Sequence, residues 1–153
     1  MMEPEGLMTR HWAAGTGLLM IWALAIATAI GTDRVNAQQD QSGWTIPPTA
    51  AEEKNPLAIN EGVLATGRKF FAAKCQRCHG PAAKGDGPDA DPKHRGHMDL
   101  TSAANAARNP DGFVFYKISN GRSNPRMPAF KEELSREQIW AVVAYVQSLR
   151  AKQ

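Results

Sequence analysis

The sequence predicts an all-α domain. Apolar residues recur at spacings of three and four over two long stretches, near 60–74 and 135–150, while strand signals are nearly absent. A third observation places the chemistry: the first stretch runs straight into Cys75-Gln76-Arg77-Cys78-His79, which holds the chain's only 2 cysteines.

The elements follow in order. At the N-terminus, Arg10 and His11 precede an uncharged apolar run from Trp12 to Ile30, and Val35-Asn36-Ala37 resembles the small-residue end of a secretory signal. Residues 1–37 are therefore expected to be a signal peptide cleaved after Ala37. The alternative is an uncleaved anchor, because 19 residues from Trp12 to Ile30 approach the ~20 that cross a bilayer. Either way the folded domain lies outside the cytoplasm, in the periplasm or on the outer face of the cytoplasmic membrane, where an exported chain needs its thiols accounted for.

Residues 38–56 form a polar arm in which Pro47-Pro48 interrupts any helix and Trp44 serves as an apolar plug on the domain surface. The domain itself spans 57–153. Its first helix carries Val63, Leu64, Phe70 and Phe71 on one stripe, and Gly67 in its interior costs of order 1 kcal/mol against Ala, which points to close contact with another backbone. A short helix is expected over Thr101–Arg108. The next uses Asn109 as cap and Pro110 as first residue, buries Phe113, Phe115, Tyr116 and Ile118, and stops at Gly121. The last begins with the capping box Ser135/Gln138, presents Ile139, Val142, Val143, Val146 and Leu149 on one face, and ends with Arg150 and Lys152 complementing its dipole.

Two cysteines separated by two residues, with histidine directly after the second, form the arrangement that attaches c-type haem. Both thiols, one helical turn apart, reach the two vinyl groups on one porphyrin edge, and the next side chain ligates the iron. Two other chemistries fit less well. A redox Cys-x-x-Cys pair leaves His79 unexplained, and no thioredoxin-like strand pattern surrounds it. A zinc site of Cys75, Cys78, His94 and His97 has its histidines one residue too close, and the intervening segment is rich in Gly and Pro.

The chain resembles the class I c-type cytochromes, in their small bacterial form, over roughly residues 55–149. The resemblance rests on Gly67 and Phe71, Cys75-x-x-Cys78-His79-Gly80, Gly85-Asp86-Gly87-Pro88, Asp111-Gly112 through Ile118, Asn120-Gly121, Met127-Pro128-Ala129-Phe130, Trp140 and Tyr145. It implies a cytochrome c fold of about four helices around one covalently bound haem, with the first and last helices crossing at Gly67. It further implies His79 and Met127 as axial iron ligands, Pro128 stiffening the Met127 loop, and a carbonyl in the Gly87-Pro88 loop accepting from the second nitrogen of His79. Met98, His94 and His97 are the rival ligands, and the histidines sit in a hydrophilic stretch suited to solvent.

The function implied is transport of single electrons between a redox donor and acceptor rather than catalysis, since iron bound on both faces offers no open position. Two other roles stay open: a haem subunit of a larger periplasmic oxidoreductase, or a gas sensor or enzyme with a labile distal ligand. Removal of residues 1–37 takes away Arg10 and Arg34 against Glu3, Glu5 and Asp33, so the net charge of +3 becomes +4. Lys69, Lys74, Arg77 and Lys84 offer a basic face for an acidic partner. Basic residues are not interleaved with aromatics, which argues against nucleic acid.

Overall fold

The computed structural model describes residues 43–150 and the backbone of Gln38–Gln39. The signal or anchor expected over residues 1–37, and Lys152, fall outside them. Among the described residues no helix is long and apolar enough to cross a membrane.

The chain enters through a two-residue antiparallel pair, β1 (Gln38–Gln39) with β2 (Thr45–Ile46), in which Gln38 faces Ile46. Pro47-Pro48 then admits only one helical turn, α1 (Thr49–Glu52). Trp44, Ile46 and Ala50 of this arm bury against Phe113 and form a small apolar cluster of their own.

Helix α2 (Glu61–Lys74) starts at Asn60, whose side chain accepts from the Val63 amide at 3.0 Å. Its C-terminus passes through Cys75 into the single turn α3 (Gln76–His79). The return segment holds a 3-10 turn at Pro92–His94 and the short helix α4 (Arg95–Met98). Then come α5 (Ala103–Ala107), α6 (Asp111–Asn120) and α7 (Arg136–Arg150).

The crossing of α2 and α7 organises the core. At Gly67 an added Cβ would sit 2.0 Å from the Ala141 carbonyl oxygen, so only glycine lets the two backbones meet there. One turn on, Phe71 is 2% exposed and packs against Tyr145 with ring centroids 5.4 Å apart. Helix α6 closes the third side through Phe115, which stacks on Trp140 at 4.2 Å. Val142, Val143 and Val146 fill the centre.

Helix α7 opens with the expected capping box: Gln138 N donates to Ser135 Oγ at 3.2 Å and Ser135 N donates to Gln138 Oε1 at 2.9 Å. Its last residue does more than complement a dipole, because Arg150 Nε donates to Leu100 O and Nη1 to Asn109 O, both at 3.0 Å. Two helix starts differ from expectation. Pro110, not Asn109, precedes α6, because Asn109 is drawn away to Asn105 O (2.7 Å) and Lys117 Nζ (2.6 Å). Ser102 caps α5 two residues into the expected span, because the Thr101 amide and hydroxyl are both taken by Asp99 Oδ1 at 2.9 and 2.7 Å.

Candidate functional site

The two thiols and His79 sit on one continuous turn. Cys75 N still donates to Phe71 O at 2.8 Å, and Cys78 and His79 both return to Cys75 O, at 3.2 and 2.9 Å. Helical geometry through the junction thus places Cys75, Cys78 and His79 on adjoining positions of one turn. Gly80, at φ +78°, ends the turn where an L side chain is strained. Neither cysteine is in a disulfide, and burial, reinforced by nearby Cys78, pushes the Cys75 thiol up to about 12.

The glycine-rich loop that follows folds back over this turn. Gly85 N donates to His79 O at 2.8 Å, Gly87 N to Cys78 O at 3.3 Å and Asp89 N to Arg77 O at 2.8 Å. A Cβ on Gly87 would lie 2.2 Å from Arg77 O. Gly85, Gly87 and Asp89 therefore brace the backbone of the Cys-x-x-Cys-His turn, with Pro88 between the last two.

Gly87 and Pro88 do not supply the partner of the His79 ring, contrary to the sequence expectation. His79 Nδ1 lies 2.9 Å from the carbonyl oxygen of Met98. The reason is a second contact layer beyond the loop: Lys84 and Asp99 form an isolated bridge, Leu100 N donates to Ala83 O at 2.8 Å, and this brings Met98 O over the imidazole. Asn105 secures the same layer from below, with Nδ2 donating to Gly96 O and Asp99 O at 2.8 Å each, while being 8% exposed. Sequence reasoning missed this polar support; its one trace is an asparagine amid the alanines of α5.

Bonded to a carbonyl, Nδ1 carries the proton, and Nε2 is left with its lone pair. Burial lowers the His79 pKa, opposed in part by the bond to Met98, so the ring is neutral. A neutral imidazole with Nδ1–H fixed by a carbonyl is the form that ligates a metal.

Met127 lies on the loop between α6 and α7. Gly121, at φ +57°, starts the loop. Arg122 and Met127 then exchange both backbone bonds, Arg122 N to Met127 O at 2.8 Å and Met127 N to Arg122 O at 2.9 Å. The Met127 side chain is half-buried and packs on the main core, as do Cys75 and Leu100, and also on the Trp44 cluster. Of the rivals, His94 faces Asp91 at 3.7 Å, His97 is exposed, and Met98 meets His79 through its backbone carbonyl. Among the described residues no group of three or more His, Cys, Asp or Glu could hold a metal ion, so the zinc arrangement is not assembled.

The expected basic face is partly neutralised. Lys74 pairs with Glu133 at 2.6 Å, and Arg77 Nε and Nη2 reach Asp89 at 2.8 and 3.1 Å.

These residues fit haem c: two free thiols and a histidine on one turn, an imidazole fixed through Nδ1, and Phe70, Leu100 and Met127 partly buried against the core. No curated protein matches the chain. Among solved structures, the KustC0563 c-type cytochrome is 25% identical, with a TM-score of 0.44, covering 55% of this chain and 96% of that one. The family model for cytochrome c matches residues 64–150, from α2 to the end of α7. The chain belongs to the cytochrome c family, whose members carry covalently attached haem c and transfer electrons.

Proposed function

We propose that this protein is an exported one-electron carrier in which Cys75 and Cys78 hold haem c, with His79 and Met127 as its axial iron ligands. The observation that carries it is the Nδ1–Met98 bond, which fixes the imidazole and leaves Nε2 as the ring nitrogen free to ligate, on the turn that also carries both cysteines. Haem, when bound, supplies a couple that takes up and releases one electron.

The chain's own residues set how easily that happens. The Met98 carbonyl, on a segment that Asn105 fastens at Gly96 O and Asp99 O, fixes ring orientation and strengthens the donor power of Nε2. Met127 supplies a soft thioether from a loop pinned by reciprocal backbone bonds. The apolar core of Phe71, Phe115, Trp140 and the α7 valines excludes water and keeps the local dielectric low. An electron carrier needs its ligands held alike in both oxidation states, and a braced turn together with a pinned loop meets that need.

Export rests on the N-terminal sequence pattern and on covalent haem attachment. The donor and acceptor are redox proteins approaching an exposed haem edge. Lys69 remains available for steering, with Lys74 and Arg77 already paired to acidic neighbours and the charge of Lys84 acting on Asp99.

The test is the absorption spectrum of the purified holoprotein, oxidised and reduced, for wild type and Met127→Ala. The far-red band of sulfur-ligated ferric iron is expected in the wild type and absent in the variant. A variant spectrum identical to wild type refutes Met127 ligation, and CO binding to the reduced wild type at neutral pH refutes the carrier role in favour of sensing.

A further inference from the structure

The arm that precedes the family-matched stretch reaches the Met127 loop directly. Ile46 is fully buried, Trp44 is 7% exposed, and Met127 is shared between their cluster and the main core. Behind the loop, the Arg122 guanidinium lies 4.5 Å from the Trp44 ring centroid, while Arg122 Nε donates to Pro125 O at 2.9 Å. Arg122 is therefore held from two sides, by a ring face and by a carbonyl, and its own backbone carries both bonds to Met127.

We propose that the Trp44 segment is a clamp on the loop from Gly121 to Phe130, with Trp44 and Arg122 as positioning residues that govern how firmly Met127 is presented. The proposal deepens the ligand assignment above and rests on it. A two-residue backbone bridge is marginal on its own in water, because few bonds offset the entropy of fixing the loop. Gly121 sets the turn at one end of the loop. The stacked Arg122, next to Gly121, restrains the strand of the bridge that pairs with Met127, and a planar guanidinium does so with little loss of freedom per contact. Helix α1 backs the arrangement: a Cβ on Gly112 would lie 1.9 Å from Ala50 O, so the arm is seated on α6 by backbone contact.

Two measurements on the holoprotein test the clamp: amide hydrogen exchange at Arg122 and Met127, and spectroscopic titration of the ferric form with imidazole, which displaces a loosely held thioether without electron transfer. In Trp44→Ala and Arg122→Met the Met127 amide is expected to exchange about tenfold faster and imidazole to bind about tenfold tighter, the equivalent of about 1.4 kcal/mol. Trp44→Phe keeps a ring face and is expected to restore both to within about threefold of wild type. Arg122→Met lies on a partly exposed side chain, so it decides the matter even where Trp44→Ala fails to fold. Unchanged exchange and unchanged imidazole affinity in Arg122→Met overturn the clamp. If Met127→Ala leaves the spectrum intact while Arg122→Met still loosens the Met127 amide, the ligand assignment falls and the clamp on the loop stands.

Discussion

Replacing Gly67 with alanine sets two opposed effects against each other. Alanine favours the helical backbone of α2 by about 1 kcal/mol. The new methyl group, however, falls 2.0 Å from Ala141 O, 2.7 Å from its carbonyl carbon and 2.8 Å from Tyr145 Cβ. Carbon contacts are favourable only near 3.5–4 Å, so α2 and α7 must part by roughly 1.5 Å. That movement lifts Phe71 from Tyr145 and loosens the valines of α7, an overpacking cost of about 3 kcal/mol. The net loss is about 2 kcal/mol, a fall of roughly 8–15 °C in Tm for a domain of this size. Gly96→Ala provides the internal comparison, because no atom lies within 4 Å of its added Cβ. It is expected to raise stability by up to about 1 kcal/mol through the unfolded chain. Thermal unfolding of both holoproteins, followed by far-UV circular dichroism, reads the difference. Equal shifts for the two variants refute steric control at the crossing.

Two further outcomes follow from polar groups. Ser119 Oγ is buried and has no hydrogen-bond partner among the described residues, so Ser119→Ala is expected to stabilise the domain by about 1 kcal/mol in urea unfolding, and a loss of similar size refutes this. Asp99 is pulled up by burial, but bonds from the Thr101 hydroxyl, the Thr101 and Ser102 amides and the charge of Lys84 hold its carboxyl below the ordinary range. The folded state therefore favours the ionised form: the stabilisation is present above the ordinary pKa of about 3.9 and is lost as pH falls through the lower folded value. Denaturation midpoints against pH should drop less steeply below about pH 4 in Asp99→Asn than in wild type, and parallel profiles would contradict the assignment.

Much of this architecture is readable in the chain because it is local. The capping box at Ser135, the Cys-x-x-Cys-His turn and the glycine stops each depend on residues within a few positions of one another. Gly67 is a long-range feature that still shows, since a glycine inside an amphipathic helix has a cost that a close neighbour must offset. The partner of the His79 ring did not show. Met98 O reaches it through the Lys84–Asp99 bridge and the Asn105 amide, neither of which leaves a periodic pattern. The same holds for Trp44: an anchoring role is legible from one Trp in a polar arm, but its seat against Arg122 is decided by the tertiary fold. Asn109 shows the converse failure, a good cap taken by stronger offers from Lys117 and Asn105.

The meeting of α2 and α7 also orders events in time. The helix that carries Cys75 packs on the last helix, and Arg150 fastens that helix to Leu100 and Asn109. Closure of the core must wait for nearly the whole chain, because contacts of such sequence separation form only after a long loop has been closed. Until then the Cys75 thiol lacks the burial that holds back its ionisation in the folded chain before haem is attached. The unclosed chain is thus the form in which the free sulfur ionises most readily.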